Sequence, residues 1–149
     1  MIRIIKKKFI SVFLPTVSVI HAQFALPAFQ GVSVKDNNSS RITITASDGS
    51  NSVSSGSITN DATLTITFTA NESVTGFAVG DVGTIGGSLS SFSGSGTTYT
   101  ATFTPSSDRN TVIYVPASGY TDQWSNNNLA SIPFYWTYDG TAPTVTFSP

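Results

Sequence analysis

The stretch Ala62–Ala70 (ATLTITFTA) constrains this chain more than any other. Leu64, Ile66 and Phe68 alternate with Thr63, Thr65, Thr67 and Thr69. Successive side chains of an extended strand point to opposite faces, so this segment has one apolar and one hydroxyl-bearing face. Threonine is stiff at Cβ and fits a pleated strand better than a helix. Thr97–Thr104 (TTYTATFT) repeats the pattern with Tyr99, Ala101 and Phe103 on one face. Ile132–Tyr138 (IPFYWTY) places Ile132, Phe134, Trp136 and Tyr138 together. One buried and one wet face per strand marks an antiparallel sheet packed on a second sheet. Shorter runs at Ile42–Ala46, Val74–Val79, Asp81–Ile85, Leu89–Ser93 and Thr111–Val115 are separated by clusters of Gly, Asn, Asp and Ser. No segment has helical periodicity. About seven or eight short strands with frequent turn signals predict an all-β sandwich. Phe68, Phe77, Phe92, Tyr99, Phe103, Tyr114, Phe134 and Trp136 are its expected core. Trp124, in the polar run Thr121–Asn128, either caps one end of that core or lies exposed.

Serine and threonine supply 44 of the 149 residues, and charged residues only 10%. Arg3, Lys6, Lys7 and Lys8 hold four of the seven basic charges. Beyond them three basic residues face eight acids, a net charge of −5. That composition excludes a nucleic-acid binder, which needs clustered Lys and Arg to displace phosphate counterions. It is compatible with binding cations. The chain has no cysteine, so its core alone must hold the fold.

Met1–Lys8 is basic, Phe9–Ile20 is an uncharged 12-residue run, and Ala22 follows as a small residue. These are the parts of a secretory signal cut after Ala22. The run is shorter than the roughly 20 residues that span a bilayer. An uncleaved anchor is the alternative, because Phe9–Val34 holds no charged residue, and only then would the chain meet a membrane. The expected organisation is a signal over 1–22, an N-terminal segment and linker over 23–40, a sandwich over 41–139, and a linker with the first strand of a following repeat over 140–149.

Asp139 lies 103 residues after Asp36. Each is followed by a short polar linker and an alternating segment, Ile42–Thr45 and Thr144–Phe147. That offset is about one sandwich domain, so Thr144 is expected to begin the first strand of a following repeat. The stretches Asn60–Pro105, Tyr120–Ala130 (YTDQWSNNNLA) and Phe134–Thr146 (FYWTYDGTAPTVT) resemble the bacterial immunoglobulin-like domain repeated in large surface adhesins. Thr97–Pro105 and Tyr138–Pro143 carry the resemblance most specifically. It implies an immunoglobulin-like, Greek-key sandwich in an exported or cell-surface protein, acting as a spacer or adhesive module beside neighbouring repeats. Two positions depart from the family pattern. Ser125 stands where Asp-x-x-Gly-Asn has glycine, and Asn71 stands where serine precedes the glutamate. Both departures are expected to loosen a loop.

Catalysis has little to work with. The one histidine, His21, lies in the signal, so the usual nucleophile–base pairs cannot form. Calcium is the sharper expectation. In a sandwich the loop after Ala62–Ala70 and the loop before Ile132–Tyr138 share one end with the start of the first strand. Asp36, Glu72, Asp122 and Asn126 would converge there, and Asp139 would serve a following repeat. Ca²⁺ takes six to eight oxygen ligands and would relieve repulsion among these carboxylates. In related adhesin arrays calcium is thought to stiffen such junctions, which the resemblance extends to this chain. The plainer reading has Asp122 forming a turn through its own side chain, Glu72 solvated, and Asp36 in a loose linker. A different function, gripping a carbohydrate or protein ligand, would use exposed aromatics such as Tyr120 and Trp124.

Overall fold

The computed structural model describes residues 38–147. The signal, its anchor alternative, Asp36 and most of the first linker lie outside the described residues. Among the described residues there are eleven short strands: β1 (Ile42–Ser47), β2 (Ser52–Val53), β3 (Ser57–Thr59), β4 (Leu64–Ala70), β5 (Val74–Thr75), β6 (Gly83–Ile85), β7 (Gly87–Ser95), β8 (Thr98–Pro105), β9 (Arg109–Tyr114), β10 (Thr121–Asp122) and β11 (Phe134–Tyr138). One sheet has the order β2-β1-β4-β8-β7 and the other β3-β11-β9-β6, with β10 and β5 as a separate ladder. This is the immunoglobulin-like sandwich. Pairing among these strands is antiparallel except where β3 runs parallel to β11, and an isolated parallel bridge joins Arg41 to Leu129.

The alternation sorts as the physics requires. Leu64 pairs with Phe103, Ile66 with Ala101 and Phe68 with Tyr99, all facing the core. On the outer face Thr43, Thr69 and Thr98 form one row across three strands, and Thr45, Thr67 and Thr100 another. Phe103 meets Trp136 of the opposite sheet edge-on, with ring centroids 6.1 Å apart. Towards one end Phe77 contacts Phe68, Phe92, Tyr99 and Tyr120 at 5.0–5.7 Å between centroids. Such edge-to-face pairs add to area burial.

Several expectations need correcting. Ile132 is 75% exposed and lies outside β11. Pro133 cannot donate to the ladder, so pairing begins only at Phe134. Tyr114 is exposed rather than core, because Thr111 and Ile113 are the buried positions of β9 and Tyr114 falls out of phase with them. The run Val74–Val79 is a strand only at Val74–Thr75, where Gly76 turns the chain with φ +79°. The strand expected over Asp81–Ile85 is a 3-10 turn at Val79–Asp81 followed by β6.

Phe103→Ala is expected to cost about 3–5 kcal/mol by opening a cavity. Thr65→Ser, on the outer face, should cost well under about 1 kcal/mol. Equal losses in urea titrations of the two variants would reverse the assigned facing.

Candidate functional site

The ladder of β5 and β10 zips the β4–β6 connection to the β9–β11 connection, with Val74 opposite Asp122 and Thr75 opposite Thr121. Both connections also reach the start of β1. Arg41 N donates to Asn71 Oδ1 at 2.8 Å, Leu129 N donates to Ser40 O at 2.8 Å, and Asn126 Nδ2 reaches Asn38 O at 3.5 Å. The three segments expected to meet at one end therefore do so.

Asp122 is 2% exposed. Its Oδ1 accepts N–H groups from Trp124 (2.7 Å) and Asn126 (2.9 Å), and its Oδ2 accepts Asn126 Nδ2 at 2.7 Å. A carboxylate that collects three N–H donors fixes a tight loop. Within that loop Ser125 takes φ +64°, a left-handed conformation that favours glycine. The family's glycine thus has a backbone reason, and Ser125 adopts the same turn at a cost. Asn71, the other departure, ties its loop to β1 through Arg41. Neither position leaves its loop without an anchor.

Glu72 is half-buried, with Oε1 shielded from solvent. Tyr120 is buried, and its hydroxyl lies 3.2 Å from Ser40 Oγ. Burial pushes the Tyr120 phenol above its ordinary range, and the negative charge of Glu72 adds to the effect. Since Tyr120 packs into the core end while Trp124 is exposed, the two do not form an open aromatic pair. Asp36 falls outside the described residues. Among the described residues no group of three His, Cys, Asp or Glu side chains is close enough to hold a metal ion.

Asp139 stands at the opposite end. Its Oδ1 accepts Thr141 N at 3.3 Å. Beside it, Asp108 accepts Gly140 N at 3.0 Å and is hydrogen-bonded to Thr141 Oγ1. Those bonds, chiefly the Thr141 hydroxyl, hold the Asp108 carboxyl below its ordinary value. Asp108 thereby clasps the segment leaving β11. The sequence reading missed it, although the Ser106–Asn110 turn flags a strand end and the pairing of Arg109 with Tyr138 brings it there. It also missed Asn128, which is 2% exposed. Asn128 accepts N–H from Gly119 and Tyr120 and donates to the carbonyls of Pro116 and Leu129. Nothing in the run Asn126–Asn128 distinguishes this asparagine from its neighbours by sequence.

Asp122→Ala should lower stability by about 1–3 kcal/mol by stranding its donors. Ser125→Gly should raise it by up to about 1 kcal/mol. A Ser125→Gly variant that melts below the parent would contradict the loop geometry. Because the folded-state value of Asp108 is lowered, its clasp stabilises above the ordinary carboxylate pKa of 3.8 and is lost as pH falls through the folded-state value. Protection of the Gly140 amide, its exchange rate set against the intrinsic rate at each pH, should therefore be present near neutrality and fall away in acid, and should be missing at all pH in Asp108→Ala.

A family model described as "Bacterial Ig-like domain" matches residues 36–135. No curated protein and no solved structure matches the chain. Members of that family are typically non-catalytic and occur in exported or surface proteins. No helix among the described residues is long and apolar enough to cross a membrane.

Proposed function

The chain belongs to the bacterial Ig-like domain family, and on that premise we propose that it is a load-bearing spacer and adhesive module of an exported surface protein. The observation that supports this reading is the placement of the described segments that enter and leave the sandwich. The segment leading into β1 is tied at the β5–β10 end by Ser40 and Arg41, and the segment leaving β11 is clasped at the far end by Asp108. Tension along a string of such modules would pass through each sandwich lengthwise. Parallel β3 and β11 would then be loaded in shear, so that several ladder bonds must yield together. Neighbouring immunoglobulin-like repeats are the expected partners, with Thr144–Phe147 as the start of one.

Calcium at the lead-in end is part of the proposal. Asn126 Nδ2 reaches Asn38 O, two residues beyond Asp36, and one oxygen of Glu72 is shielded from solvent nearby. Asp36 and Glu72 would supply the carboxylate oxygens, with Asn126 and main-chain carbonyls completing the set. Asp122, whose oxygens already accept three N–H groups, would hold the loop rather than lead the coordination. Such an ion would stiffen the junction.

Pulling the chain by its two ends should require several-fold more force than pulling across the adjacent residues Ile42 and Ala70, which unzips one pair at a time. Equal forces in single-molecule extension would sink the spacer reading. For calcium, a melting scan in saturating metal should show about 2.7 kcal/mol of added stability at 100-fold excess over the dissociation constant, reversed by chelator. An unchanged curve removes the ion and leaves the mechanical reading standing.

A further inference from the structure

The outer face of the β3-β11-β9-β6 sheet differs from the rest of the surface. Register sets Tyr135, Val112 and Ile85 side by side across three strands. Tyr135 and Ile85 are each 52% exposed. In the next row Tyr114 lies flat over Gly83: a Cβ at Gly83 would stand 2.6 Å from Tyr114 Cε1 and 2.7 Å from its hydroxyl. Only glycine lets that ring rest against the sheet. On the other side of the central row Thr137 Oγ1 donates to Asn110 Oδ1 at 2.8 Å, orienting the amide with its Nδ2 as a donor. No charged side chain stands in these rows, although the body of the chain carries a net −5. The nearest are Asp139 and Asp108, two carboxylates one outward position beyond Thr137 and Asn110, and Ile58 of β3, 67% exposed, extends the row beside Thr137.

We propose that this face is a binding site for a neutral oligosaccharide, with sugar C–H faces seated on Tyr135 and Tyr114 and hydroxyls met by Asn110 and Thr137. Aromatic rings supply large, flat, apolar area with a polar tip. A few placed polar groups then fix orientation. Size decides between occupants. Across the four strands β3, β11, β9 and β6, three strand spacings and four residue rises give a face about 14 Å on each side, roughly 200 Å². A stable protein–protein interface takes about 800 Å² from each partner. The face is thus too small for a second copy of the chain, and it matches two or three sugar rings. The absence of charge selects neutral sugars over acidic ones. The site is independent of the spacer reading, since it lies on the flank of the sandwich rather than at its ends.

The test uses the full chain with three neutral probes, maltotriose, cellotriose and chitotriose, and one acidic probe, trigalacturonic acid. At least one neutral probe should bind by calorimetry and shift the amide resonances of Asn110, Val112, Tyr114, Tyr135 and Thr137. Tyr135→Ala should weaken that binding at least about tenfold, whereas Trp124→Ala, at the loop end, should leave it unchanged. If Tyr135→Ala does not fold, the shift map of the parent chain decides alone. No binding at about 10 mM of any neutral probe, shifts that map elsewhere, a preference for the acidic probe, or self-association abolished by Tyr135→Ala would each overturn the proposal. None of these results would alter the force measurements.

Discussion

The edge-on contact between Phe103 of β8 and Trp136 of β11 joins the two sheets, and the rest of the architecture is arranged around keeping it dry. Both side chains are essentially inaccessible to water. Burying an indole leaves its N–H in need of an acceptor. Trp136 Nε1 donates to Thr59 Oγ1 at 3.0 Å, and that hydroxyl donates in turn to Asp61 at 2.7 Å. The chain leads from the core to a partly exposed carboxylate, so the polar end of the tryptophan is satisfied without opening the interior. Thr111 adds a bond from its hydroxyl to the Trp136 carbonyl at 2.8 Å. With no cysteine in the chain, these contacts hold the sheets together without a disulfide.

At the lead-in end the same logic is applied to polar groups. Asn128 and Asp122 are buried within a connection that has almost no regular structure, and each is hydrogen-bonded several times over. A buried polar group left unmade is costly, whereas a satisfied network specifies one loop shape. Ser125 in its left-handed conformation shows that the shape is imposed by Asp122 and its partners and not by local preference. The adjoining Phe77 closes the end of the core from a loop rather than a strand.

The sandwich itself was legible because threonine and apolar residues alternate over whole strands, and burial follows that alternation at β4 and β8 without exception at the apolar positions. Legibility failed where pairing, rather than periodicity, decides. Ile132 keeps the phase of β11 but lies beyond a proline that ends the ladder, and Tyr114 belongs to the outer phase of a strand whose inner positions include Thr111. A threonine at a core position is not visible as such in sequence, because its hydroxyl can be absorbed by one backbone carbonyl. At the candidate site the convergence of loops followed from topology. The individual roles did not, since any of Asp122, Gln123, Asn126, Asn127 and Asn128 could equally have faced solvent.

The two outer faces of the sandwich answer different demands. The face of β1, β4 and β8 is ruled by rows of threonine, whose hydroxyls keep water and offer no ring or apolar patch to a ligand. Such a surface also resists association with like surfaces. The opposite sheet gives up that protection at Tyr135, Val112 and Ile85. Ile58, beside Thr137 on β3, continues that exposed apolar surface to the sheet edge. A chain selected only for reach would gain nothing by exposing two tyrosines on one flank while hydroxyls cover the other, so the asymmetry of the faces, more than the fold, marks where contact with another molecule is made.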